Sequence, residues 1–146
     1  MPNRIVFAAG VWDLFHIGHL RLLEKAAKLG DELHVGVLTD EAAEAYKGTP
    51  VIPYAERVEI VDALRIVERV WEVRDSNATE ELSGFDPRYL VFVHGTDWKP
   101  GWEIGQTWVQ GNGGVFVLLP YTETQSSTKI KELIIRRRDE YGSSND

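Results

Sequence analysis

The chain begins its patterned region with an unbroken apolar run, Ile5-Val6-Phe7-Ala8-Ala9, that stops at Gly10. A run this short, closed by glycine, is the pattern of a strand buried on both faces and followed by a turn. Over residues 18–29 the apolar positions Leu20, Leu23 and Ala27, with Leu22, Ala26 and Leu29 beside them, keep a helical period, and Gly30 supplies the C-terminal stop. Residues 32–38 alternate into a second strand, and Thr39-Asp40 cap a short helix starting at Glu41. Lys47-Gly48-Thr49-Pro50 break both periods and predict a loop. A second amphipathic helix is predicted over 54–67, with Val58, Ile60, Val61, Leu64 and Val67 facing inward, then a third strand over 70–73. Asn77 followed by Glu80 has capping-box spacing and predicts a short helix. Residues 89–93 and 115–119 read as buried strands. The last helix is predicted from about 126–128 to 141, ahead of a polar, frayed tail at 142–146.

Strands alternating with helices predict an α/β fold: a mostly parallel sheet with helices on both faces, here as a single domain over 1–146. In such sheets ligands bind beyond the carboxyl ends of the strands, at a switch point. Four polar or glycine-bearing segments fall there: 10–19, 39–47, 94–98 and 121–128.

Composition narrows the class. With 146 residues, 43% hydrophobic and 27% charged, the chain is ordinary for a globular domain with one core. It contains no Cys, which removes disulfides and zinc–thiolate sites and suits a reducing compartment. No apolar run approaches the roughly 20 residues of a membrane span, and the start of the chain lacks a signal-peptide pattern. A cytoplasmic protein without a membrane partner is therefore expected. The net charge of −7 argues against non-specific nucleic-acid binding. An acidic chain can still bind anions if its cations converge locally.

The chemistry concentrates in Gly10-Val11-Trp12-Asp13-Leu14-Phe15-His16-Ile17-Gly18-His19. Here a strand ends and two histidines three residues apart begin a helix, so they share a face. A helix N-terminus offers unpaired N–H groups and partial positive charge to phosphate. Two imidazoles in that field could donate hydrogen bonds to a triphosphate whose charge is redistributing in a transition state. The alternative is that His16 merely caps the helix and His19 packs against the sheet. No third carboxylate or histidine lies nearby in sequence, which weakens a metal-site reading.

The His16-x-Gly18-His19 signature after Gly10-x-x-Asp13 resembles the cytidylyltransferase family, most closely its glycerol-3-phosphate members. The likeness spans residues 5–132 and includes Arg21-Leu22-Leu23-Glu24-Lys25-Ala26, Leu29-Gly30-Asp31, Lys47, Tyr54-Ala55-Glu56-Arg57, Leu64-Arg65-Ile66-Val67, Gly95-Thr96-Asp97-Trp98, Thr122-Glu123 and Ser126-Ser127-Thr128-Lys129-Ile130. The resemblance implies a Rossmann-like domain, usually a homodimer, that binds CTP with Mg²⁺ held through the nucleotide phosphates. A phosphorylated alcohol such as glycerol 3-phosphate would attack the α-phosphorus in line and release pyrophosphate. It implies that His16 and His19 stabilise the α-phosphate transition state and that Lys47 neutralises phosphates of nucleotide and acceptor. Gly10, Val11, Trp12, Asp13, Gly18, Asp97, Trp98 and Thr122 would form the nucleotide site. Ser126, Ser127 and Thr128 would present hydroxyls and helix-start N–H groups to the outer phosphates. Arg57 and Arg65 would bind the acceptor.

Each assignment has a plainer alternative: a solvated Lys47, surface ion pairs for Arg57 and Arg65, an ordinary N-cap at Ser126–Thr128, a turn at Asp97, surface packing at Trp98. Arg136-Arg137-Arg138 read as complements to a helix dipole, not a nucleic-acid patch. The pattern also breaks: Tyr121 stands where the family carries Arg, Thr124-Gln125 replace Gly-Ile, Val11-Trp12 replace Thr-Phe, and Thr96 replaces an acidic residue. Losing an Arg removes a fixed bidentate phosphate ligand. Three other readings stay open: a cytidylyltransferase for another phosphate or phosphonate acceptor, an adenylyltransferase for a sugar phosphate or cofactor precursor, and a nucleotide-binding protein without turnover.

Overall fold

A computed structural model describes residues 2–95, 103–120 and 125–142. Its strands are β1 (Ile5–Gly10), β2 (Glu32–Leu38), β3 (Arg69–Val73), β4 (Leu90–Gly95) and β5 (Val115–Leu119). Its helices are α1 (Ile17–Ala27), α2 (Asp40–Tyr46), α3 (Tyr54–Asp62), α4 (Thr79–Leu82), α5 (Glu103–Gly111), α6 (Ser127–Arg136) and α7 (Arg138–Gly142). The strands form one sheet in the order β3-β2-β1-β4-β5, and every neighbouring pair is parallel. In register, Ala8 of β1 stands between Val35 of β2 and Val93 of β4.

Side chains alternate across each strand, so β1 feeds two cores at once. Val6 and Ala8 join Leu22, Leu23 and Ala26 of α1, Val35 and Val37 of β2, and Val61 of α3 on one face. Phe7 and Ala9 join Ala42 and Ala43 of α2, Leu82 of α4, Phe92 of β4 and Val109 of α5 on the other. Both faces are thus covered, which is why β1 and β4 read as nearly continuous apolar runs. The chain steps from β1 to β2 and β3 in one direction, then returns to place β4 on the other side of β1. That reversal is the switch point, at the carboxyl ends of β1 and β4.

The elements follow the predicted order, with three differences in detail and two elements not predicted, α5 and a short 3-10 turn at Pro87–Tyr89. α3 stops at Asp62 instead of running to 67; the chain continues through tight turns, Leu64 N–H bonding Val61 O and Val67 N–H bonding Leu64 O. Leu64, Ile66 and Val67 still pack on the core, so the apolar pattern reported burial correctly but not helix. Asn77 does not cap α4; the cap is Ala78 in a left-handed conformation (φ 55°), while Asn77 Oδ1 accepts Thr79 N–H. The last helix is interrupted at Arg137. α5 carries glycines at 105 and 111, which depress helix propensity, and tertiary packing overrides that weakness.

Candidate active site

The reversal in strand order leaves a cavity of about 570 Å³ at the carboxyl ends of β1 and β4, within the size range of small-molecule sites. Ala8, Ala9 and Gly10 of β1 and Val93, His94 and Gly95 of β4 form its floor. Val11, Trp12, Asp13, His16 and His19 form one wall, Tyr46 to Pro50 a second, and Gln125 to Lys129 with Lys131 a third.

The turn from β1 to α1 is strained. Trp12 and Leu14 both have positive φ, 58° and 50°, in a region that costs a residue with a side chain about 1–2 kcal/mol. Trp12 is held there by burial and by its Nε1–H, which donates to Gly36 O at 2.9 Å. The turn delivers His16 to the N-cap of α1 in extended geometry. His16 Nδ1 accepts Gly18 N–H at 3.0 Å, and His19 Nδ1 accepts His16 N–H at 3.3 Å. Two histidines thereby make a reciprocal cap of the kind usually built from Ser and Glu.

That cap fixes the tautomers. With both Nδ1 atoms accepting, each neutral ring carries its proton on Nε2, and both rings line the cavity. The rings are stacked, with centroids 3.8 Å apart and planes inclined by 24°. Burial pushes the His16 imidazole below its ordinary value, so it stays neutral at pH 7. The pair offers ring N–H donors at a helix N-terminus, which suits charge that develops on a phosphate. Capping occupies Nδ1 of each ring and leaves Nε2 for a ligand, so the two readings set against each other in the sequence are compatible.

Gly18 does not line the cavity; it permits the crowding around it. A Cβ there would lie 2.9 Å from Gln125 O and 2.9 Å from His16 Cε1. Asp13 is buried and turned to the backbone: its Oδ2 accepts Val51 N–H and its Oδ1 accepts Ile52 N–H, each at 2.9 Å. Those bonds hang the loop that carries Lys47 from the β1–α1 turn. At the third wall, Ser126 caps α6 by accepting Lys129 N–H, and Ser127 Oγ donates to Asp13 O at 2.7 Å. The N-terminus of α6 therefore faces the N-terminus of α1 across the cavity. Lining charges are Lys47, Lys129 and Lys131 against Asp13, a formal balance of +2 in a chain of net charge −7. The cations do converge.

Of the residues singled out in the sequence, Gly10, Val11, Trp12, Asp13, His16, His19, Lys47, Ser126, Ser127 and Thr128 line this one cavity. Asp97, Trp98 and Thr122, like Tyr121 and Thr124, lie outside the described residues. Arg57 departs from its expected place. It is 1% exposed and lies behind the cavity, where Nε donates to Ile52 O (2.9 Å), Nη1 to Val11 O (2.6 Å) and Leu38 O (2.9 Å), and Nη2 to Asp40 Oδ1 (2.7 Å). A guanidinium so occupied braces the site from within and does not line the cavity. Arg65 is exposed, in the turns after α3, and does not line the cavity. His94 and Gln125, in segments the sequence marks, and Lys129, in the quoted motif, line the cavity without a role assigned from sequence, and Lys131 lines it without a mention there. For Lys131 a signal was present, since four residues after Ser127 is the same helical face. Among the described residues no three His, Cys, Asp or Glu side chains gather to hold a metal, and no helix is long and apolar enough to cross a membrane.

An all-parallel sheet with a histidine pair at the head of α1 and the Ser126-capped start of α6 on one lysine-lined cavity is the architecture of a nucleotidyltransferase-like domain. The chain belongs to the cytidylyltransferase-like family, whose model matches residues 7–137. Curated relatives include the bifunctional protein HldE of Trichlorobacter lovleyi, 32% identical over 92% of this chain, and that of Desulfatibacillum aliphaticivorans, 36% identical over 88%. The matched region is 28% and 26% of those relatives' lengths, so the chain spans about a quarter of each. Among solved structures, the lipopolysaccharide core biosynthesis protein from Thermoplasma volcanium shares the fold with TM-score 0.70 at 24% identity, covering 85% of this chain and all of that one. Thermotoga maritima TmcAL bound with alpha-thio ATP shares it with TM-score 0.67 at 16% identity, covering 92% of this chain and 51% of that one.

Proposed function

We propose that this chain transfers a nucleotidyl group from a nucleoside triphosphate to a phosphorylated alcohol. An acceptor phosphate oxygen attacks the α-phosphorus, the bond from that phosphorus to the bridging β-oxygen breaks, and pyrophosphate leaves. The supporting observation is the stacked His16–His19 pair, each Nδ1 accepting a backbone N–H and each Nε2 left for a ligand, in one cavity with Lys47 and the start of α6. The two imidazoles donate to the non-bridging oxygens of the α-phosphate as charge builds there, while Lys47 and the first turn of α6 hold the phosphates. Mg²⁺ belongs to the same proposal and would enter with the triphosphate. Asp13, the carboxylate of the described lining, already accepts two amides, and Mg²⁺ commonly relies on substrate phosphates with few protein ligands. When bound, it would neutralise phosphate charge.

CTP with glycerol 3-phosphate is the substrate pair the family resemblance favours. ATP with a sugar phosphate is a second reading, favoured by a structural neighbour that holds alpha-thio ATP on the same fold. A homodimer and a cytoplasmic location complete the proposal; the exposed Ile134 and Ile135 on α6 give a dimer apolar surface to cover. The deciding assay measures pyrophosphate release from each nucleoside triphosphate against a panel of phosphorylated alcohols, phosphonates and sugar phosphates. Release with one pair, abolished in His16→Ala, supports transfer. Tight triphosphate binding with no release from any pair would leave a binding protein instead.

A further inference from the structure

Ser127 and Lys131 are four residues apart on α6 and so share one face. Helical side chains tilt toward the N-terminus, so the Lys131 stem runs back over the turn that carries Ser127. That face meets the β1–α1 turn, because Ser127 Oγ donates to Asp13 O at 2.7 Å. The Lys131 ammonium lies 3.7 Å from Asp13 Oδ2 and lines the cavity. At that separation the contact is an ion pair without a hydrogen bond. The carboxylate does not depend on it, since both its oxygens already accept backbone N–H groups at 2.9 Å. The lysine side chain is 44% exposed, whereas the Asp13 side chain is 7% exposed. A solvated, loosely tethered cation therefore stands at the mouth of the cavity, beside the α6 N-terminus. It can move to an anion without stranding a buried charge.

We propose that Lys131 is a ligand for the outer phosphates of the nucleotide, exchanging its loose pairing with Asp13 for phosphate oxygens when the triphosphate enters. This deepens the nucleotidyl-transfer reading and rests on it, with His16 and His19 at the inner phosphate and the α6 end at the outer ones. It also supplies a cation in a chain that has Tyr121 where the resembled family has an arginine. The exchange gives charge-assisted hydrogen bonds in place of a weak ion pair, and the amides keep Asp13 satisfied throughout.

The test is calorimetric titration, without acceptor, of the wild type, Lys131→Gln and Lys131→Arg with nucleoside tri- and monophosphate and with inorganic pyrophosphate. Lys131→Gln should weaken triphosphate and pyrophosphate about tenfold, the scale of one charge-assisted contact at a half-exposed site. Monophosphate binding should stay within about twofold, and Lys131→Arg should keep most of the triphosphate affinity. Equal losses for tri- and monophosphate, or no loss for either, overturn the assignment of Lys131 while leaving the nucleotide site standing. A wild type that binds no triphosphate defeats both this inference and the reading beneath it. Because the side chain is half-exposed, the melting temperature of Lys131→Gln should match the wild type, and a large fall would mark Lys131 as structural.

Discussion

Replacing Arg57 with Ala is the sharpest test of how this site is built. The side chain is fully buried and its donors reach three backbone carbonyls and Asp40 at 2.6–2.9 Å. Truncation leaves Ile52 O, Val11 O and Leu38 O without that donor and opens space where the side chain lay. Breaking a fully buried ion pair by removing one partner costs about 3–5 kcal/mol. The Asp40 side chain is 44% exposed and can turn to water, which lowers that part. The orphaned carbonyls add about 1–3 kcal/mol each where water cannot reach them. A net loss of at least about 3 kcal/mol is expected, a large share of the roughly 5–15 kcal/mol of a typical domain. At this chain length that lowers the melting temperature by roughly 10 °C. Lys at this position restores charge opposite Asp40 but cannot span the carbonyls with a compact ammonium, so it should recover no more than about half. The measurements are urea denaturation and kcat and KM at a temperature where each variant stays folded. In folded variants kcat should also fall, because Val11 lines the cavity and Ile52 ends the loop that carries Lys47. A loss below about 1 kcal/mol, with only the acceptor KM raised, would refute the brace and return Arg57 to the acceptor-binding role its sequence context suggested.

The histidine pair, the glycine between them and the pH response give three further expectations. His16→Ala and His19→Ala should each lower kcat by about 10²–10³ with little change in nucleotide KM, as for loss of one transition-state donor; a fall under tenfold in steady-state kinetics would show the rings to be caps alone. Gly18→Ala should lower activity more than stability, because its Cβ would press on the His16 ring and the Gln125 carbonyl; a crystal structure with the ring unmoved and full activity would count against this. Burial holds His16 below the ordinary imidazole value of 6.5, so the unfolded chain binds more protons between the two values. The stability contributed by this site is therefore whole above 6.5 and is lost as pH falls through the lower folded value, where protonated Nδ1 would face Gly18 N–H donor to donor. An NMR titration placing His16 at or above 6.5 would contradict that.

Periodicity and punctuation are enough to place five strands along the chain, to predict a mostly parallel sheet, and to single out the turn after β1, which lines the cavity. Those features are local: apolar runs, a glycine stop, and two histidines at helical spacing are visible within ten residues of one another. Arg57 was different. Sequence spacing put it on a helix beside Glu56 and Glu59 and left open whether it faced solvent or ligand. Only folding brings Val11, Leu38 and Ile52 around it, from segments 46, 19 and 5 residues away. The reach of Asp13 to Val51 and Ile52, and of Ser127 to Asp13, is likewise long-range, separated by 38, 39 and 114 residues. Pattern along a chain reports which face of an element is buried. Which polar groups share a crevice depends on the order of strands in the sheet, and here the reversal at β1 brings the starts of α1 and α6 together.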